Sequence, residues 1–350
     1  LSMLFGLLLF GSYSVVKPIR DTMGTVYGVN HLQDLFTGTL IGCLLVAPLY
    51  SALAARVKLS TFLPWVYVAI GASILAFYAV FESGRVPDRW IAAVFYVWVS
   101  TFNMLIISVF WTFMSDTFSR TQAKRLFGFV AAGITVGVIV GPAIATVLAR
   151  AVGNYNLMLI AAVGFVLTAI VVRLLVREKE RMLAAGVEAQ HTSLAHRLGS
   201  ANPFAGFSLL LRSRYLLLLS LFLLLMSWIS TVVYFQLSAL IQHAFSNPAA
   251  RTQAYALIDL SVNSIVVFLQ LFGTGRIISR FGVTTGLMLN PVIMVIAFLA
   301  VAFSPVLLVL GGIQIVRRAA EYAVAKPSRE MLFTVVDQES RYKAKNVIDT

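Results

Sequence analysis

The sequence predicts an all-α polytopic membrane protein built as two six-helix halves, with the last two helices falling beyond the chain. Three observations carry this expectation. Hydrophobic residues make up 59% of the 350 and charged ones 12%, about half the charge of a soluble domain. Apolar runs of roughly 20 residues, long enough to cross a bilayer as helices, recur along the chain. One polar loop also occurs twice: Asp116-x-x-Ser119-Arg120-x-x-Ala123-Lys124 returns as Asp337-x-x-Ser340-Arg341-x-x-Ala344-Lys345, every residue at one constant offset.

The first span runs from Leu1 to Val26, and others follow at Leu35–Leu53, Phe62–Phe81, Trp90–Phe113, Phe127–Ala149 and Leu157–Val176. The only long polar segment, Arg177 to Arg214, comes next. Its end, Asn202-Pro203-Phe204, reads as the start of a surface helix, with Phe204, Phe207 and Leu211 on one side. Four more spans lie at Tyr215–Leu240, Tyr255–Phe272, Thr284–Phe303 and Pro305–Ala325. The expected division is a six-helix bundle over 1–177, a linker over 178–212 and a second bundle over 213–350. The repeat offset places helices five and six of that second bundle from about Lys345 onward. Alternate loops differ in basic residues by roughly threefold, which by the positive-inside rule puts the N-terminus and the linker in the cytoplasm.

Most of the net charge of +13 is this topology signal, so nucleic acid is not the expected partner. Membrane lipid and a small anionic substrate are. The expected location is a bacterial inner membrane, and a monomer would suffice. Cys43 is the only cysteine and the four histidines are scattered, which leaves no cysteine-based metal site. No phosphate loop, zinc motif or nucleophile elbow is present. Neither an enzyme nor a cofactor is expected.

The polar residues inside the spans point to function. Gln314, Arg317, Arg318, Glu321, Tyr322 and Arg329 fall within about 140° of one another at helical spacing, on a helix read as continuous from Val301 to Glu330. Charges at bilayer depth cost roughly 2.5 kcal/mol or more each, so this side must face protein or water. Glu321 can neutralise one arginine but not two, which favours an anion-binding surface over a purely structural ion network. Tyr13, Ser14, Lys17, Arg20 and Asp21 form a stripe on the first helix, with Pro18 expected to bend it. Tyr234 lies on the stripe of the seventh helix. Asp259 and Asn263 lie on that of the eighth, where the acid reads equally as a proton or cation site or as an arginine's partner. Lys17-Pro18-x-Arg20-Asp21 and Lys326-Pro327-x-Arg329-Glu330 share one pattern. Each is either a gate that pairs when its side closes or a kinked helix end with snorkelling cations.

Two halves with a central linker resemble the major facilitator superfamily. Gly275-Arg276-Ile277-Ile278-Ser279-Arg280-Phe281-Gly282 is similar to that family's loop motif G-x-x-x-D-R-x-G, with serine where aspartate is usual. Gly137-x-x-x-Gly141-Pro142 resembles its antiporter motif, and reads also as a small-residue helix contact. Within the superfamily the chain resembles the ATP:ADP antiporter family. The resemblance rests on Tyr13 to Asp21, on Phe110 to Asp116 with Arg125-Leu126-Phe127-Gly128, on Asn202-Pro203-Phe204, and on Lys326 to Glu330 with Tyr342-Lys343-Ala344-Lys345. It implies alternating access, with helices one, four, seven and ten in equivalent places and Asp116, Arg120, Asp337 and Arg341 at the gating loops. In nucleotide exchangers of that family a lysine closely follows the Arg-Asp pair, whereas here Thr22-Met23-Gly24 follows. The expected function is transport of an organic anion, nucleotide-like or phosphorylated, with exchange among the modes open to it. A lipid or lysolipid carrier, or a partner-binding subunit on the same fold, are the alternatives.

Overall fold

The structure is a computed structural model that describes residues 1–56, 59–118, 120–184, 213–304 and 306–332. Ten helices in chain order answer the ten expected spans: α1 (Ser2–Tyr27), α2 (Leu32–Arg56), α3 (Leu59–Ser83), α4 (Asp88–Thr117), α5 (Arg120–Val152), α6 (Asn156–Ala184), α7 (Arg214–Ala244), α8 (Pro248–Phe272), α9 (Thr274–Phe303) and α10 (Leu307–Ala320). A π-helical turn, Glu321–Ala325, joins α10 to a short α11, Lys326–Leu332. Among the described residues, eight helices are long and apolar enough to cross a membrane. The described residues fall into two compact units. The first takes Leu1–Thr192 with Ile241–Leu260, the adjoining ends of α7 and α8. The second takes Ser193–Leu240 with Ser261–Thr350.

In the first unit α1 is the central helix, packed on α4, α5 and α6. Burying apolar groups gains little when lipid is the alternative, so close packing has to hold such helices together. The α1–α5 seam achieves this with glycine. A Cβ on Gly137 would lie 2.6 Å from the Leu7 carbonyl oxygen and 2.9 Å from the Gly11 nitrogen. One on Gly141 would lie 2.5 Å from the Gly11 carbonyl oxygen and 2.6 Å from the Ser14 Cβ. Gly133 meets Met3 in the same way. The antiporter-like glycines are thus where two backbones touch. Beside the seam Phe5 packs edge-on to Tyr67 and tilted on Phe110, with ring centroids 5.7 and 4.9 Å away. Helix α1 runs on through Pro18 and ends at Gly28, whose φ of 126° only glycine adopts readily.

In the second unit α9 packs on α10, the π-turn and α11. Gly286 of α9 admits the Ser328 side chain. The Thr274 hydroxyl donates to the Ala323 carbonyl, at 2.8 Å, inside the π-turn. Helix α9 is broken at Gly282, with φ 80° and ψ 168°, a region that is essentially glycine-only. This is the last glycine of the loop motif, and it separates the motif's turn from the apolar part of the helix. The expectation of one helix from Val301 to Glu330 is corrected here. Ser304, at φ −148° and ψ 83°, caps α9, and α10 starts three residues later. The repeated loops bear on this correction little, since Asp337 and Arg341 lie outside the described residues, as do the side chains of Asp116 and Arg120.

Candidate functional site

The first unit gathers the polar residues of α1 with those of α8. Lys17 donates to both carboxylate oxygens of Asp259, each at 2.8 Å, and Asp259 is 3% exposed. The expectation for this acid is a proton or cation site or an arginine's partner; its partner in the structure is a lysine. Arg20 donates to Asp21 Oδ1 from Nε at 3.1 Å and from Nη2 at 2.5 Å. Its Nη1 reaches Ser100 Oγ at 3.3 Å, and the guanidinium lies over the Tyr96 ring. Both cations on the polar side of α1 therefore have a carboxylate. Tyr13 is half-buried with its ring edge-on to Phe102. Ser14 is buried in the glycine seam.

Further along α1 the buried hydroxyls are chained. Thr252 donates to Asn154 Oδ1, so in the 2.7 Å Thr22–Thr252 contact the Thr22 hydroxyl must be the donor. Arg251 donates to Thr25 at 3.1 Å and, through Nε, to the Phe245 carbonyl at 2.7 Å, with Nη2 near Ser246. A guanidinium among the last carbonyls of α7 offsets the negative end of that helix, so this charge is committed to the fold. Asn154, Thr25 and Arg251 were not singled out as site residues. A buried polar group in an apolar span signals a partner, but not which one.

The second unit carries the arginines. Arg317 is 6% exposed. It donates from Nε to Gln314 Oε1 at 3.0 Å and from Nη1 to Ser230 Oγ at 2.8 Å. The Ser230 hydroxyl in turn donates to the Met226 carbonyl, leaving its lone pairs for Arg317. The hydrogen-bond partners of this buried cation are neutral; Glu321 acts on it electrostatically, but among the described residues no carboxylate forms a salt bridge with it. Arg318 lies over the Tyr322 ring at 5.9 Å. Glu321 opens the π-turn and accepts from Asn290 Nδ2. Glu321 still acts electrostatically on Arg317 at i,i+4, without a salt bridge, while Asn290 of α9, outside the stripes read from the sequence, holds its carboxylate. Glu321, Lys326, Arg329 and Asn290 line a cavity of about 20 Å³ with Phe222 and Met226 of α7. That is room for one water, so this cavity is not a substrate chamber. Lys326 is exposed and Glu330 half-buried. Tyr234 and Asn263 are half-buried on α7 and α8, and the Tyr234 ring contacts Phe235.

Residues 2–317 match the family model described as Major Facilitator Superfamily. Among curated proteins, ADP,ATP carrier protein 1 of Chlamydia trachomatis is 26% identical over 298 residues, covering 75% of this chain and 56% of the carrier. The namesake from Chlamydia pneumoniae is 22% identical, covering 97% of this chain and 78% of its own. The chain spans a little over half the length of the Chlamydia trachomatis and Chlamydia muridarum carriers. Among solved structures, a bacterial homologue of the human lysosomal transporter Spinster, inward-facing and unoccupied, aligns with a TM-score of 0.61 at 16% identity, over 99% of this chain and 78% of that one. The nucleoside transporter NupG aligns with a TM-score of 0.55 at 13% identity, over 99% and 85%. At these identities the likeness is one of fold. With apolar helices of membrane length and a family match over nearly the whole chain, this integral membrane protein belongs to the Major Facilitator Superfamily of transporters.

Proposed function

We propose that this transporter moves a small organic anion, nucleotide-like or otherwise phosphorylated, by alternating access and in exchange for a second anion. The observation that carries the reading is Arg317. It stays charged, because arginine does not deprotonate in proteins. It is buried, and its hydrogen bonds go to a serine and a glutamine. Glu321 acts on it electrostatically but makes no salt bridge with it, and a buried charge so incompletely matched is costly. An anionic substrate would supply the remaining counter-charge through paired hydrogen bonds to the planar guanidinium, with Arg318 and Tyr322 beside it. The similarity to carriers named for ADP and ATP supports a nucleotide-like ligand. The Gly137-x-x-x-Gly141-Pro142 seam, which resembles the antiporter motif, supports exchange. On this reading the Lys17–Asp259 and Arg20–Asp21 pairs act as gate elements that part and re-form during the cycle, and the N-terminus faces the cytoplasm.

The test is uptake into proteoliposomes preloaded with candidate anions: nucleotides, sugar phosphates and dicarboxylates. Arg317→Ala should abolish exchange while the protein still elutes as a folded, monodisperse species. Arg317→Lys should restore it poorly, since the fork geometry is lost. Wild-type rates in Arg317→Ala would overturn the reading.

A further inference from the structure

The hydrogen bonds of Arg317 engage acceptors and leave donors over. Gln314 and Arg317 stand one turn apart on α10 of the second unit, 4% and 6% exposed. A guanidinium can only donate. The 3.0 Å contact from its Nε therefore fixes which way the Gln314 amide lies: Oε1 is on the arginine, and the NH2 group, Nε2, is left unused. Nη1 is bonded to Ser230 Oγ at 2.8 Å, and that hydroxyl gives its own hydrogen to the Met226 carbonyl. Among the described residues no acceptor meets Arg317 Nη2 or Gln314 Nε2, and neither nitrogen is among the polar atoms sealed from solvent without a partner. On the anion-transport reading above, on which this rests, we infer that Gln314 is a substrate-contacting residue. Its NH2 group and the Nη2 group of Arg317 hold two oxygens of one oxyanion, a phosphate or a carboxylate, and select against a ligand that presents an ammonium there.

Both NH2 groups are tied to one hydrogen bond. Nε2 shares a carbon with the oxygen that Nε reaches, and Nη2 shares a carbon with Nε, so the two groups flank the 3.0 Å contact. Oxygens of one phosphate or carboxylate group, each accepting at about 2.9 Å, can span donors so placed. A buried donor with no acceptor is costly. An anion satisfies both donors and brings negative charge to Arg317 at close range. Glu321 does not bring it: its carboxylate is held by Asn290 of α9, and it acts on Arg317 without a salt bridge. A ligand ammonium would set donor against donor and charge against charge, which is how the pair discriminates. Ser230 offers the substrate nothing of this kind. Its hydrogen is committed to the Met226 carbonyl, so it orients the guanidinium and goes no further.

The experiment is a calorimetric titration of the purified full chain in detergent with adenosine monophosphate, inorganic phosphate and succinate, with adenosine as the uncharged control. Gln314→Leu should weaken the anions that bind the wild type by on the order of tenfold. A glutamine that only orients Arg317 would show the same loss, so the deciding readout is the amide itself. With glutamine side chains labelled with nitrogen-15, the Gln314 NH2 signal is identified by its absence from Gln314→Leu or Gln314→Asn. It should move downfield on adding the anion and stay in place with adenosine. The anion that moves it, phosphate or carboxylate, names the oxyanion. Where Gln314→Leu does not fold, Gln314→Asn identifies the signal and the wild-type shift decides. A Gln314 signal that the bound anion leaves unmoved, or wild-type anion affinity in Gln314→Leu, overturns this inference and leaves anion transport standing. If none of these anions binds the wild type, or Arg317→Ala exchanges like wild type, the anion reading itself falls and this inference with it.

Discussion

Gly137→Ala tests the seam on which the first unit is built. The added Cβ would sit 2.6 Å from the Leu7 carbonyl oxygen and 2.9 Å from the Gly11 nitrogen, against an ordinary contact of about 3.5–4 Å. Both neighbours are backbone, so no side chain can swing aside, and α1 would have to back away from α5 by roughly 1 Å. Overpacking of this kind costs about 1–3 kcal/mol. Against it stands a gain of roughly 1 kcal/mol from the better helix propensity of alanine. The control lies on the same helix: Gly128, where a Cβ meets nothing within 4 Å. Gly128→Ala should therefore be stabilising by up to about 1 kcal/mol, and Gly137→Ala neutral to destabilising by about 2 kcal/mol. Thermal unfolding of the two variants in the same detergent measures the difference. If Gly137→Ala is as stable as Gly128→Ala, the backbone contact is not what holds α1, and the glycine motif must be explained by something other than packing.

Further outcomes follow from single features. Gly282→Ala should destabilise by about 1–3 kcal/mol from backbone strain alone, because a Cβ there meets nothing within 4 Å. Denaturation that leaves it at wild-type stability would contradict the φ of 80°. Thr274→Val removes the hydroxyl from the Ala323 carbonyl in the π-turn. It should lower the midpoint by about 1 kcal/mol, and amide exchange should quicken locally over Glu321–Ala325. Tyr155, outside the spans, has its phenol pushed up to about 12, first by burial and then by Asp88 and Glu82. Its folded value lies above the unfolded one, so the stability it brings is full below about pH 10 and is lost as pH rises through about 12. Phenolate absorbance should show one late-titrating tyrosine, and Asp88→Asn should bring it down.

Much of the fold was legible because its causes are local. Apolar runs place most of the helices from residues adjacent in the chain. The glycines of α5 were legible as a contact, since Gly137 and Gly141, four residues apart, lie on one face of a helix. Their partner on α1 was not legible, because α1 offers only backbone there. The unbroken helix from Val301 failed for a different reason. The span limits at Phe303 and Pro305 already marked the boundary that Ser304 caps, and the continuous reading ran across it.

The site was legible as faces and not as pairs. Lys17 and Asp259 were each recognisable as charges that must be answered at bilayer depth, yet sequence spacing cannot join residues of α1 and α8. The π-turn shows the more instructive failure. The common face of Arg317, Glu321 and Arg329 was drawn at about 100° per residue, and a π-turn adds a residue to the turn. Everything after Glu321 is therefore rotated against everything before it. Arg317 turns to Ser230 and Gln314, while Glu321 turns to Asn290, and Arg329 joins Lys326 at the small cavity. Arg317 and Glu321 themselves precede the widening and keep α-helical phase, the Glu321 N–H still reaching the Arg317 carbonyl. The π-turn therefore re-aims only Lys326, Arg329 and Glu330 against them. A variant that deletes one residue of this turn should carry Arg329 away from the small cavity and leave the Arg317 bonds to Ser230 and Gln314 in place, so anion affinity should change only as far as Arg329 contributes to it. Loss of all anion affinity in that deletion, with the helix intact by circular dichroism, would mean that Arg317 is not sufficient to hold the anion.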